Sequence, residues 1–383
     1  MIYLDSAATT RPSDGVAAFL AETLAKYYAN PDSGHAAGLL AGKQIENARA
    51  ALAGVIKAQP DEIIFTSSGT EANNLALFGA CAALGRRGGK IIVSDSEHPS
   101  VYIPARELAG RGFEIIYLSG KGGAVNLDEL SEALDGRVIL VSVMLANNET
   151  GAVYDVKKIC ETVHGAYKNA GFRPYVHTDA VQAFGKLDIN MNRLKADMLT
   201  ASAHKIHGIK GAGLLYLRRG TRIGAQVLGG GQERGLRSST LNTPGILAFG
   251  KAAEELNIAA DYQAISSLYD YAAMKISGKC PGIRLNQEQG GNFSKYILSL
   301  RLPNVRSEVM LNYLSSRDIY ISSGAACSSK NSRESARVLL NYGLDKFSAD
   351  FTVRVSFCKY NARADIDVLA DALADGIARY AVH

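Results

Sequence analysis

The sequence predicts an α/β protein, a mostly parallel sheet in a large unit joined to a smaller α+β unit. Three observations carry this. Short apolar runs, several rich in Ile and Val, alternate with helix-like stretches through the middle of the chain. That alternation argues for strand–helix–strand units rather than hairpins. After about residue 250 the pattern changes to long helical stretches followed by a few strands.

Strands are expected at 62–66, 90–94, 114–118, 138–145, 174–178, 197–202 and 213–217, with helices among them at 70–87, 99–111 and 155–170. Strands this apolar are covered on both faces, and ligands collect at their carboxyl ends. Further on, helices are expected at 244–259 and 262–278 and strands at 296–302, 319–322 and 352–357. A short apolar helix near 336–340 and a final amphipathic helix over 364–380 complete the pattern. A chain of 383 residues is too long for one small core. The expected division is a large unit over 15–255 and a small one formed by 1–14 and 256–383.

Hydrophobic content of 47% with 21% charged residues fits a globular protein. No apolar run approaches the ~20 residues of a membrane span. The start, Met1-Ile2-Tyr3-Leu4-Asp5, lacks the basic and apolar regions of a signal peptide, so a cytoplasmic protein is expected. The net charge of +5 is spread along the chain. Arg218, Arg219 and Arg222 lack interleaved aromatics and read as a solvated turn, so no nucleic acid is expected to bind. The five cysteines show no CxxC and no metal-ligand spacing, so thiols and no metal are expected. Cys81, Cys160 and Cys358 read as core residues, and Cys280, before Pro281-Gly282, as a turn thiol.

Chemistry gathers at the expected strand ends. Residues 201–211 read Ala-Ser-Ala-His-Lys-Ile-His-Gly-Ile-Lys-Gly. A lysine there, held where its ammonium is poorly solvated, is a nucleophilic amine. Ser202 and His204 beside Lys205 offer polar groups to an anion; a surface lysine after an edge strand is an equal reading. In Thr66-Ser67-Ser68-Gly69-Thr70, Gly69 allows close backbone approach and a helix N-terminus attracts an anion, or the motif is a plain cap. His98, in Ser96-Glu97-His98-Pro99, suits ring stacking or proton transfer, or is structural. Asn147 and Asn148 can reach a carboxylate or form an Asx turn. Asp179 at a buried strand end needs a positive or donor partner. A protonated pyridine nitrogen supplies one, and Asp179 and Lys205 on consecutive strands are compatible with a pyridoxal phosphate site.

These segments, in this order, resemble the cysteine desulfurases, pyridoxal phosphate enzymes of the class V aminotransferase group with the fold-type I architecture. The resemblance runs nearly end to end. It also takes in residues 3–10 (Tyr-Leu-Asp-Ser-Ala-Ala-Thr-Thr), Asn30 to His35, the run from Gly229 to Thr240, and Ser322 to Cys327. It implies that Lys205 holds the cofactor as a Schiff base and moves a substrate proton. Asp179 would pair with the ring nitrogen, Gln182 with the phenolic oxygen, and His98 would stack on the ring. Gly69, Thr70, Ser202 and His204 would hold the phosphate, and Thr240 would reach the phosphate of a neighbouring subunit in a homodimer. Asn148 would contact cofactor and substrate, and Arg354 would bind the substrate carboxylate. Lys210 is near, but the family pattern places the Schiff base directly after the histidine.

Cys327 sits among small residues, with Lys330 and Arg333 nearby to favour a thiolate. By itself it reads as an exposed, unimportant cysteine. The resemblance makes it the nucleophile that takes sulfur from L-cysteine, leaving L-alanine and a persulfide for an acceptor protein. The long stretch before the 336–340 helix resembles the branch whose cysteine loop swings between substrate and acceptor. Arg337 and the last helix are candidate docking surfaces for that acceptor, whose place in iron–sulfur or thio-cofactor and tRNA synthesis stays open. The chain departs from the family at Ser239, commonly Gly, at Ile209, commonly Pro, and at Leu145-Ala146. Two other readings stand beside desulfuration: a selenocysteine lyase or other class V lyase, and a non-catalytic scaffold for sulfur acceptors.

Overall fold

The computed structural model describes residues 1–287, 290–324 and 332–381. Its strands are β1 (Ile2–Tyr3), β2 (Ile63–Thr66), β3 (Lys90–Ser94), β4 (Glu114–Leu118), β5 (Val138–Ser142), β6 (Tyr175–Asp179) and β7 (Met198–Ser202). They continue with β8 (Gly213–Leu217), β9 (Arg284–Leu285), β10 (Ile297–Arg301), β11 (Ile319–Tyr320), β12 (Ser322–Ser323) and β13 (Thr352–Ser356). The large sheet has seven strands in the order β2-β8-β7-β6-β5-β3-β4. Neighbours from β7 to β4 are parallel, and β8 runs antiparallel to both β2 and β7. The mostly parallel sheet expected from the sequence is therefore present.

Every residue of β2, β3, β5, β7 and β8 is buried, because both sheet faces are covered. One face shares a core with Ile45, Leu52, Ile159, Leu247 and Phe249 from three helices. The other shares a core with Leu75, Leu77, Val101 and Leu108. A third core joins Leu4, Ile265, Leu298, Val353 and Leu369, around the four-stranded antiparallel sheet β12-β13-β10-β9. β1 pairs in parallel with β11 in a separate two-stranded sheet, which brings Leu4 at the start of the chain into this third core. Among the described residues no helix is long and apolar enough to cross a membrane.

Several boundaries differ from expectation for local reasons. The strand expected over 138–145 stops at Ser142. Beyond it, Val143 and Leu145 N–H still donate to the His177 and Asp179 carbonyls of β6, but Met144 N–H donates to the Glu97 carboxylate instead of to a neighbouring strand. The strand expected over 319–322 is two short strands, one paired with β1 and the other with β13. Helices at Asp14–Lys26 and Ala36–Val55 occupy a region to which the sequence assigns no element. Arg218 is not a solvated turn residue: its guanidinium donates to the Ala196 and Met191 carbonyls at 2.8 to 3.0 Å. Cys280 is the buried C-cap of helix Ile258–Lys279, just before the turn at Pro281-Gly282.

Candidate active site

The carboxyl ends of β2, β3, β6 and β7 lead into turns that line one cavity of about 370 Å³. Ala7 and Ala8 from the start of the chain and Arg354 from β13 complete its wall. Strand ends converge here because parallel strands place all their following turns on one edge.

Lys205 ends the short turn Ala203–Lys205 directly after β7. Its Nζ donates to the Ala7 carbonyl at 2.6 Å and the Ala8 carbonyl at 2.7 Å. Burial, aided by the Arg354 charge, lowers its pKa to about 8. A deprotonated amine is thus accessible near neutrality. Lys210 is exposed and does not line the cavity.

Asp179 ends β6 and is 4% exposed. Its Oδ1 accepts from Val181 N–H at 2.9 Å and its Oδ2 from Asn73 Nδ2 at 2.7 Å. Asn73 also donates to Ser100 Oγ at 2.8 Å, and Ser100 Oγ lies 2.7 Å from His98 Nδ1. His98 caps helix Pro99–Gly110, accepting Ser100 N–H on Nδ1. That bond leaves the proton of the neutral imidazole on Nε2. Desolvation lowers the His98 pKa, against the opposing pull of Asp179.

At another wall, Ser68 caps helix Gly69–Leu84, whose first turn lines the cavity and favours an anion. A Cβ on Gly69 would lie 2.8 Å from Val181 Cγ2, so glycine lets this helix start close against the turn that follows β6. Ser202 and His204 line the same cavity. Burial, with Lys205 beside it, lowers the His204 pKa to about 4, and its Nδ1 lies 3.1 Å from Thr9 Oγ1.

Gln182 Nε2 donates to the Ala7 carbonyl at 2.8 Å, and its Oε1 accepts from Lys186 Nζ at 3.2 Å. These two contacts fix which way the Gln182 amide faces. Burial lowers the Lys186 pKa to about 7. Arg354 is 5% exposed and pairs with Asp5 and Glu149, each at 2.9 Å.

Of the residues singled out in the sequence, Gly69, Thr70, His98, Asn148, Asp179, Gln182, Ser202, His204, Lys205 and Arg354 all line this cavity. Thr240 does not; it is exposed. Cys327 lies outside the described residues. The other four cysteines are buried, and burial pushes the Cys81 and Cys160 thiols up to about 12. Ser239, flagged as a departure from glycine, has φ +153°, a conformation that favours glycine. Arg337 is not a free docking surface: its guanidinium donates to the Asp95 and Glu97 carbonyls and lies 3.8 Å from the Tyr102 ring centre. Sequence reasoning missed Asn73, Ser100, Glu149, Lys186 and the Ala7 and Ala8 carbonyls. Asn73, Ser100 and Glu149 lie inside the strand-end motifs without a role read for them, and backbone carbonyls leave no residue-type signal.

The aminotransferase class-V family model matches residues 2–369. The chain is 37% identical over 390 aligned positions to a cysteine desulfurase of Trichormus azollae, covering 99% of this chain and 93% of that one. It is 36% identical to the cysteine desulfurase IscS of Dictyoglomus turgidum, covering 97% and 93%. Among solved structures it is similar to a NifS-like protein, with TM-score 0.91, 32% identity and 99% of both chains covered. It is also similar to SspA in complex with cysteine, with TM-score 0.82 and 30% identity over 94% of this chain and 100% of that one.

Proposed function

Because the chain belongs to the class V aminotransferase family and is a pyridoxal phosphate-dependent cysteine desulfurase, we propose that Cys327 takes the substrate sulfur and that the residues of the strand-end cavity prepare the substrate. The carrying observation is the joint placement of Lys205, Asp179 and His98 on one cavity.

The donor set fits the cofactor. A buried carboxylate with two N–H donors, an amine of lowered pKa and a helix N-terminus suit a pyridinium, an aldehyde and a phosphate in turn. Lys205 would hold it covalently, Asp179 would face its ring nitrogen, and His98 would stack on its ring. Gln182 would reach its phenolic oxygen, with Asn148 alongside. Gly69, Thr70, Ser202 and His204 would hold its phosphate. Bound pyridoxal phosphate supplies an electron sink for the pair released at the substrate Cα.

The chain's own groups do the rest. Arg354 binds the substrate carboxylate and sets the Cα–H toward Lys205. The Lys205 amine removes that proton, which its lowered pKa favours near neutral pH. His98 Nε2 manages the proton of the substrate thiol. The Cys327 thiolate attacks the substrate sulfur; an S–S bond forms as the C–S bond breaks. The carbon fragment keeps the electron pair, is protonated, and leaves as alanine. The buried state of the four described cysteines supports Cys327 in this role.

The proposal extends to a cytoplasmic homodimer that passes sulfur to an acceptor protein, with residues 1–14 and 256–383 forming the smaller unit. Exposed Tyr28, Leu39 and Leu228, at 82%, 62% and 84%, support a dimer interface close to Thr240. Gln232 ties the Thr240 loop to Asp32 at 2.8 Å, in the same region.

The test supplies L-cysteine and L-selenocysteine and follows alanine, sulfide and a persulfide on Cys327 by mass spectrometry. Cys327→Ala is expected to keep the cofactor and form no persulfide. Undiminished sulfide release from cysteine by that variant would overturn the role of Cys327.

A further inference from the structure

Arg354 is crowded by acids. Its Nη2 donates to Asp5 Oδ1 at 2.9 Å, and its Nη1 donates to Glu149 Oε1 at 2.9 Å and to the Asn148 carbonyl at 2.8 Å. Its Nε is buried without a partner among the described residues. One guanidinium already balances two enclosed carboxylates, with side chains 18% and 13% exposed.

A carboxylate substrate brings a third negative charge to the same cation. Coulomb repulsion in a poorly solvated site makes three carboxylates around one guanidinium unfavourable. Either a partner leaves or one carboxylate becomes neutral. The hydrogen bonds identify which. Glu149 Oε1 accepts from Asn148 Nδ2 at 2.5 Å as well as from Arg354, but Glu149 Oε2 is buried with no partner among the described residues. Asn148 Oδ1, on the preceding residue, is also a buried acceptor with no partner among the described residues. A proton on Glu149 Oε2 turns one of these acceptors into a donor and removes the excess charge.

We propose that Glu149 takes up a proton from solvent when a substrate carboxylate docks on Arg354, so that the acid tunes the affinity for the substrate carboxylate. The inference rests on the reading of Arg354 as the carboxylate-binding residue. The charged groups facing Glu149 are Arg354 from β13, Asp5 from the start of the chain and Lys205 after β7. Burial is the largest influence and raises the Glu149 pKa to about 7 even with Arg354 present, so the proton is available at working pH. Carboxylate affinity should then fall with rising pH above this value, by about tenfold per pH unit.

Propionate is the probe, because it lacks the amine that reacts with the cofactor and the thiol that titrates. Its binding to the holoenzyme is measured by calorimetry at pH 6, 7, 8 and 9, in buffers of different ionisation enthalpy. Wild type is expected to take up about one proton per propionate at pH 8 and to weaken about tenfold from pH 8 to 9. Glu149→Gln is expected to take up none and to bind with a flat profile. Zero proton uptake by the wild type at pH 8 would overturn the proposal without recourse to any variant. Equal uptake by wild type and Glu149→Gln would overturn it too, by placing the proton elsewhere. Arg354→Gln separates the two readings: if it binds propionate as tightly as wild type, Arg354 is not the carboxylate site and both fail. If Arg354→Gln loses binding while wild type takes up no proton, only the role of Glu149 fails.

Discussion

Asn73 Nδ2 lies 2.7 Å from Asp179 Oδ2, on a side chain that is wholly buried. The same amide nitrogen reaches Ser100 Oγ, which in turn meets His98 Nδ1. One amide therefore ties the carboxylate proposed for the ring nitrogen to the imidazole proposed to stack on that ring. Replacing Asn73 with Ala removes a hydrogen bond to a charged group, worth roughly 1.5–3 kcal/mol. A fall in kcat of about ten- to a hundredfold is expected, together with a shift in the pH titration of the cofactor's absorbance. Unchanged absorbance titration would mean that Asn73 acts on packing alone.

Lys205→Ala should bind cofactor without a covalent link. Borohydride reduction followed by peptide mass spectrometry should label Lys205 in the wild type and no lysine in the variant. Loss of the proton-transferring amine should lower kcat by about 10²–10⁴-fold.

The lowered pKa of Lys205 also makes a prediction for the cofactor-free protein. The amine titrates near 8 in the folded state, against 10.5 for an ordinary lysine. Below pH 8 the folded state carries the full cost of a buried ammonium, and wild-type stability rises as pH passes from 8 to 10.5. Lys205→Met should be more stable than wild type at pH 7, by on the order of 3 kcal/mol at most. Urea denaturation at pH 7 and at pH 10.5 checks this, because the advantage should fade at the higher pH.

Gly69→Ala places a methyl group 2.8 Å from Val181 Cγ2. Overpacking of this kind costs about 1–3 kcal/mol, and here it displaces the helix start that faces the anion. Cofactor affinity, followed by dialysis and absorbance, should fall roughly tenfold or more.

Ser239→Gly should stabilise the protein. The residue holds φ +153° and is exposed, so the variant loses strain of about 1 kcal/mol and little else. A higher thermal midpoint is the expected reading.

The sheet and most of the cavity were legible in the order of residues alone. Apolar runs with a period set by strands and helices marked the layers, and Asp179, Lys205 and His98 stood where strands end. Buried strands and strand-end turns leave such marks because each is a local property of consecutive residues. Element edges were less legible: the run 138–145 stays apolar past Ser142, while Glu97, far off in the chain, draws Met144 N–H out of the ladder. Which long-range partners meet came from the folded arrangement alone. It brought Ala7 and Ala8 onto Lys205, Asn73 onto Asp179, and both Asp5 and Glu149 onto Arg354. Those contacts depend on burial and on chain segments hundreds of residues apart. No residue type or spacing encodes them, yet they set the charge balance that the chemistry requires.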